Sequence, residues 1–285
     1  MVEIKNMPTG SHQSTEYIVA FQGERGAYSE EAALSYFGSK IGFLPCKTLK
    51  AVFFEVEKGR AAVGMVPVEN SLEGAVSETY DLLLSSSLTV SGEYNLRVRH
   101  CFITNQGVRI ADIRRVYSHP QALAQCRRFL DKLGVEIIPY YDTAGSAYMI
   151  KREGLRDAAA IASKRAAEIY NLQILAESIE DSPNNYTRFF VIGKFIREPT
   201  GRDKTSLVFT TRHVPGALYV ALGVFAKRGL NLTKIESRPT KQTPWEYNFY
   251  VDLEGHRLDE DVKEALEELK AHTLYIKILG SYPKA

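Results

Sequence analysis

Long hydrophobic runs are missing from this chain, and no stretch of it is apolar enough to span a membrane. The first sixteen residues lack the apolar core of a secretory signal. Gly10, Ser11, His12, Gln13 and Ser14 instead read as a mobile leader. An excess of one charge is also missing: 36 basic residues face 34 acidic ones, for a net +2. That leaves no electrostatic footprint for nucleic acid, and no basic run suits a membrane surface. Cysteine is scarce, with Cys46, Cys101 and Cys126 odd in number and none spaced like a zinc or redox motif. Buried free thiols in a reducing cytoplasm are the expectation. The dinucleotide fingerprint GxGxxG is absent, because Arg25 stands where a glycine is required, and this argues against a nicotinamide enzyme. Internal repeats and low-complexity tracts are absent too.

What remains is an ordinary globular balance, 45% hydrophobic and 25% charged over 285 residues, enough for about two domains with real cores. Tyr17–Gln22 is β-rich and ends at Gly23. Ser29 is a plausible N-cap for a helix over 30–37 that Gly38 closes. Thr48 caps a second helix whose Leu49, Val52, Phe53 and Val56 fall at i, i+3, i+4 and i+7, and Gly59 stops it. Ala61–Val68 follows as a buried strand, so the pattern predicts a mainly parallel sheet. Further strands are expected at 96–104, 115–117, 135–140, 158–162 and 188–192. Helices are expected from Pro120 to Gly134, over 145–152 and over 164–170. Two small α/β lobes with a cleft between them satisfy this order. A break near Glu198–Asp203 carries Pro199 and Gly201. After it, strands at 206–211, 232–238, 246–253 and 273–279 and helices at 216–228 and 259–269 give the ferredoxin-like order β-α-β-β-α-β.

Chemistry-bearing residues gather where strands end. Gly23–Ser29 is a glycine-rich turn into a helix, suited equally to a bare turn or to anion binding. Glu69, Asn70 and Ser71 follow a buried strand, where α/β ligands bind, although Asn and Ser are also common N-caps. Ser118-His119-Pro120-Gln121 sits at another junction; Ser118 suits a cap or an anion, and no second ligand near His119 supports a metal. Asp142, Thr143, Gly145 and Ser146 form a similar junction. Asn185-Tyr186-Thr187-Arg188-Phe189 carries a polar loop into an apolar strand. If these converge, they make a site for a small dianion that needs no metal and no cofactor. In the C-terminal part, Gly216-Ala217-Leu218 opens a helix and Glu236-Ser237-Arg238-Pro239 ends a strand.

These segments, in this order, resemble prephenate dehydratase from about Tyr17 to the end of the chain. Val68–Ser71 resembles its substrate loop, Ser118–Gln121 its second-lobe signature, and Thr187-Arg188-Phe189 the motif of its essential threonine. Gly216–Leu218 and Glu236–Pro239 are similar to the phenylalanine-binding motifs of its ACT domain. The resemblance implies a catalytic region over 17–200 like a periplasmic binding protein. One lobe takes about 17–97 and 183–200 and the other about 98–182, with an ACT domain over 204–285. It implies prephenate as substrate and phenylpyruvate, carbon dioxide and water as products. Thr187 is expected to be catalytic, with Glu69 as a second candidate proton source. Asn70, Ser71, Ser118, Gln125, Thr143, Ser146, Arg188 and Phe189 are the expected substrate-binding residues. Gly216, Ala217, Leu218, Glu236, Ser237, Arg238 and Pro239 are expected to hold phenylalanine as an inhibitor at the interface of a homodimer or homotetramer in the cytoplasm. The rival readings are an arogenate dehydratase and, from another class, a non-catalytic amino-acid sensor or solute-binding protein.

Overall fold

The computed structural model describes residues 17–241 and 243–285, and the leader expected over residues 1–16 lies outside them. The first lobe alternates strand and helix: Tyr17–Gln22 (β1), Tyr28–Phe37 (α1), Ile41–Cys46 (β2), Leu49–Glu57 (α2) and Val63–Asn70 (β3). Then come Gly74–Ala75 (β4), Ser77–Ser85 (α3) and Thr89–Arg97 (β5). The second lobe holds Cys101–Thr104 (β6), Arg115–Ser118 (β7), Pro120–Gln125 (α4), Arg127–Leu133 (α5) and Glu136–Pro139 (β8). It continues with Thr143–Arg152 (α6), Ala158–Ala162 (β9), Lys164–Ile169 (α7) and Gln173–Glu177 (β10). Tyr186–Gly193 (β11) then returns to the first sheet, whose order is β2-β1-β3-β11-β5, with β4 beside β3. The second sheet has the order β10-β6-β9-β7-β8.

Helix α2 follows its sequence pattern closely. Thr48 accepts a hydrogen bond from the Ala51 N–H at 3.1 Å, and Leu49, Val52, Phe53 and Val56 are all buried. Other elements depart from expectation. Helix α1 begins before Ser29, whose place as N-cap is taken by Ala27 without a side-chain bond. The segment 96–104 is two strands rather than one, because Val98–His100 carries the chain out of the first sheet and into the second. The second sheet is mixed rather than parallel: β6 runs antiparallel to both β9 and β10, while β7 is parallel to β8 and β9. The chain enters this lobe through β6 and leaves through β10, and two neighbouring strands that enter and leave at one edge must oppose each other. The helix expected from Pro120 to Gly134 is split at Cys126, whose φ of −114° is not helical. All three cysteines are free and buried.

The C-terminal strands Asp203–Thr210 (β12), Leu232–Pro239 (β13), Tyr247–Glu254 (β14) and Tyr275–Pro283 (β15) form an antiparallel sheet in the order β13-β14-β12-β15. Helices Ala217–Ala226 (α8) and Glu260–Ala271 (α9) give the ferredoxin-like βαββαβ order. On α9, Val262, Ala265, Leu266 and Leu269 repeat at helical spacing, and all pack with Leu207, Phe209, Val251 and Leu253 from the sheet.

By packing, the chain forms two compact units. One comprises residues up to Gly74 together with Asn95–Phe189; the other comprises Ala75–Tyr94 together with Phe190–Ala285. Helix α3 belongs to the second unit for a visible reason. Lys277 Nζ on β15 donates to the carbonyls of Leu83, Leu84 and Ser86 at 2.9, 2.8 and 2.6 Å, supplying a cation at the end of the helix where the backbone carbonyls are otherwise unpaired. Asp81 accepts from Arg238 Nε at 3.1 Å and Lys241 Nζ at 2.9 Å, and the Tyr80 ring lies 4.8 Å from that of Tyr250. Burial alone would raise the Asp81 carboxyl, but the Lys241 and Arg238 hydrogen bonds outweigh it and hold the group below the usual aspartate range.

Candidate active site

The ends of several elements meet around one cavity of about 150 Å³ in the first unit. Its lining comes from Tyr28 at the start of α1, Asn70 at the end of β3, Val98 and His100 between the sheets, and Thr187 on β11. The second lobe contributes His119, Gln121, Ala122 and Gln125 on and before α4, with Asp142 and Thr143 at the start of α6. Of the residues expected here, the structure brings Asn70, Gln125, Thr143 and Thr187 together.

Asn70 organises the arrangement. Its Oδ1 accepts from the backbone N–H groups of Leu72 and Glu73 at 3.0 and 3.1 Å, an Asx turn that leaves only its Nδ2 facing the other way. That Nδ2 donates to Asn185 Oδ1 at 2.9 Å and to Thr187 Oγ1 at 3.0 Å. The Thr187 oxygen is therefore an acceptor, and its own proton has no acceptor among the described residues. A hydroxyl whose oxygen already accepts a hydrogen bond is a better proton donor, because chained bonds polarise one another.

Strand parity separates other expected residues from this group. Neighbours along a strand point to opposite faces. Glu69 and Arg188, each adjacent to a cavity residue, face away and approach each other at 3.9 Å, so neither reaches the cavity. Phe189 shares the Thr187 face but is only 1% exposed, a core residue. Ser118 and Ser146 are fully buried and spend their hydroxyls on the backbone. Ser118 donates to the Ile161 carbonyl at 2.6 Å, and Ser146 to the Asp142 carbonyl at 2.8 Å. The α4 cap is His119, whose Nδ1 accepts from the Gln121 N–H. Ser71 ties down the loop instead: it donates to the Asn184 carbonyl at 2.7 Å and accepts from the Tyr186 N–H at 2.9 Å.

The glycine-rich turn after β1 is not an anion cradle either. A Cβ on Gly26 would lie 2.6 Å from Ala166 Cα, so the close approach is to the second lobe. Ser163 donates to the Gly26 carbonyl at 2.6 Å, and Tyr170 to the Arg25 carbonyl at 2.8 Å. The buried Glu30 accepts from the Gly26 N–H and pairs with Arg25 and Arg165 at 2.9 and 3.2 Å. This turn latches the two lobes together.

Tyr28 and His100 were not among the expected site residues. Only the break in the strand near Val98 distinguishes His100, and a lone histidine between Arg99 and the apolar Cys101–Ile103 carries no other signal. Burial pushes the His100 imidazole below its ordinary pKa and the Tyr28 phenol well above its own. Burial also raises Asp142, although its Oδ1 caps α6 by accepting from the Gly145 N–H at 2.6 Å.

In the second unit, Gly216 turns the chain into α8 with φ 82°, and Ala217 and Leu218 form the first helical positions. Parity again divides the expected set. Glu236 and Arg238 alternate with Ser237 and Pro239 along β13, and Arg238 is spent on Asp81 and Ser77 of α3. The tetrapeptide thus does not present one continuous surface.

Comparison with known proteins is consistent with this geometry. Residues 19–196 match the prephenate dehydratase family model, and residues 205–271 match that of the ACT domain. A bifunctional chorismate mutase/prephenate dehydratase of Aquifex aeolicus is 48% identical over 94% of this chain and 74% of its own. An arogenate dehydratase/prephenate dehydratase of Arabidopsis thaliana is 45% identical over 97% of this chain and 77% of its own. The prephenate dehydratase of Arthrobacter aurescens, solved in complex with L-Phe, superposes with a TM-score of 0.86 at 34% identity, covering 94% of this chain and 90% of that one. A protein described as the quorum-quenching acylase GqqA superposes at 0.87 with 37% identity, covering 94% and 98%. The fold is that of a lyase-type dehydratase with an attached ACT domain. The chain belongs to the prephenate dehydratase family.

Proposed function

We propose that the chain converts prephenate to phenylpyruvate, carbon dioxide and water, and that phenylalanine binding at its ACT domain inhibits the reaction. The observation that carries this reading is Thr187, whose oxygen is held by Asn70 and whose proton is left for a ligand in the cavity. Prephenate gains aromaticity as its ring carboxylate leaves as carbon dioxide, and the electrons of that bond expel the ring hydroxyl. The departing oxygen needs a proton and a fixed geometry. Thr187 supplies or relays the proton, and the surrounding amides hold the reactant in place. Phenylalanine control is supported by the ACT match and by the L-Phe complex of the Arthrobacter relative. In this reading Gly216–Leu218 and the Ser237–Pro239 face of β13 hold the effector between subunits of a cytoplasmic homo-oligomer. The exposure of Tyr219 and Ile235 on the same unit, 81% and 49%, suits a subunit interface.

Arogenate is the second reading, and Asp142 favours it: a carboxylate in the cavity wall would pair with the ammonium that distinguishes arogenate from prephenate. Purified protein is to be incubated with each substrate, with and without phenylalanine. Phenylpyruvate release from prephenate that phenylalanine suppresses is the expected result. Release of phenylalanine from arogenate alone would transfer the assignment to the rival, and no product from either would end both.

Asp142 also sets a pH dependence. Its pKa is raised from 3.8, so it is protonated over a range where an ordinary aspartate is already charged. As pH climbs through that raised value, a negative charge appears in the wall facing a dianion. KM for prephenate is expected to rise with pH, and Asp142→Asn, which still caps α6, to flatten the rise and lower KM about 3- to 10-fold above it. An identical KM profile in the variant would show that Asp142 does not face the substrate.

A further inference from the structure

We propose that His100 is a positioning residue that, with Asn185, holds Gln125 with its amide end towards the substrate. The inference deepens the dehydratase reading of this cavity and depends on it only for its kinetic consequences.

Backbone groups cannot flip, and they fix the first amide. The Leu72 and Glu73 N–H groups fix Asn70 Oδ1 as acceptor and therefore Asn70 Nδ2 as donor. Asn185 must then turn Oδ1 to Asn70, at 2.9 Å, and its Nδ2 to Gln125 Oε1, at 2.8 Å. Gln125 Oε1 also lies 3.0 Å from His100 Nε2. An amide oxygen has no proton to give, so Nε2 must carry one. The other ring nitrogen, Nδ1, lies 2.7 Å from the Tyr28 hydroxyl, which is 2.9 Å from the Arg99 carbonyl. The ring is 2% exposed, and burial favours its neutral form. Nδ1 is then a lone pair, and the one Tyr28 proton is shared between it and the Arg99 carbonyl. The carboxylate of Glu180 is taken up by the backbone N–H of His100 at 3.0 Å.

One consequence is unusual. Gln125 Oε1 has two donors, while its Nε2 amide is buried with no partner among the described residues. A buried amide without an acceptor costs about 1–3 kcal/mol, a deficit that a ligand oxygen removes. The lining residues include no Lys or Arg. Neutral donors must therefore receive much of the dianion, and the acceptor is a substrate carboxylate oxygen. Were the proton on Nδ1 instead, Gln125 Oε1 would meet a bare Nε2 lone pair at 3.0 Å, and Asn185 alone would hold the amide.

Two measurements decide the matter. Nitrogen-15 NMR of histidine-labelled protein, with the His100 signal identified by its loss in His100→Gln, is expected to show a neutral ring protonated at Nε2. Steady-state kinetics with prephenate are expected to show KM raised about 10- to 100-fold in His100→Leu, with kcat within about threefold. His100→Gln, whose amide can again donate to Gln125 Oε1, should recover most of the loss. A ring protonated at Nδ1, or an unchanged KM in a folded His100→Leu protein, would overturn the proposal. A wild-type protein inert towards prephenate would remove the dehydratase reading alone, and the spectrum would still decide whether His100 donates to Gln125.

Discussion

Thr187→Val is expected to lower kcat about 10²- to 10⁴-fold, the usual contribution of a positioned proton donor. Valine keeps the branched shape that β11 favours, and Asn70 Nδ2 keeps its bond to Asn185 Oδ1. The fold should therefore survive, with the melting temperature nearly unchanged. KM should move only a few-fold, since the lost interaction belongs to the transition state. Thr187→Ser retains the hydroxyl and should keep much of the rate. Full activity in a folded Thr187→Val protein would take Thr187 out of the mechanism.

Gly26→Ala is expected to be almost as damaging by a different route. The added methyl would sit 2.6 Å from Ala166 Cα and 2.9 Å from Ala166 Cβ, at a backbone φ of +88°. Backbone cannot move aside as a side-chain tip can, so overpacking and conformational strain combine to cost about 3 kcal/mol or more. The cavity draws its walls from both lobes, so loosening the latch should also raise KM and lower kcat together. Chemical denaturation and steady-state kinetics on the same preparation test both effects. A variant with wild-type stability and kinetics would show that Gly26 does not hold the lobes.

How much of this was legible in the sequence depends on what kind of information each residue needed. Asn70 and Thr143 were recognisable as polar groups at the end of a strand and the start of a helix, Thr187 as a polar residue entering a strand, and Gln125 as lying one turn past Gln121; the structure gathers all four at one cavity. Glu69 and Arg188 failed on parity: which of two adjacent strand residues faces a site depends on the register of pairing, and that is set by a partner far along the chain. Ser118 and Ser146 failed because a hydroxyl at a helix start has nearby carbonyls to satisfy it as well as any ligand. His100 gave no signal, and Tyr28 only its place in the Gly23–Ser29 turn, since their roles exist only where segments 72 residues apart in the chain come together. In the C-terminal sheet, the β-α-β-β-α-β order was plain from hydrophobic spacing. The engagement of Arg238 with Asp81 was not, because it joins residues 157 apart.

Helix α3 has a consequence for modularity. In chain order it follows the Asn70 loop, yet the cations at its end and on its flank come from β15 and from the stretch around the end of β13. The sensor is therefore no detachable cassette: a cut near residue 200 severs a body whose two pieces lie on either side of it. A chain stopped there would leave the carbonyls of Leu83, Leu84 and Ser86 without Lys277, and Asp81 without Arg238 and Lys241. We expect the truncated protein to unfold at clearly lower urea than the full chain, even if its cavity is intact; equal midpoints would show that α3 stands without them. A genome that fuses or sheds this sensor must also rebuild a helix encoded in the middle of the catalytic half.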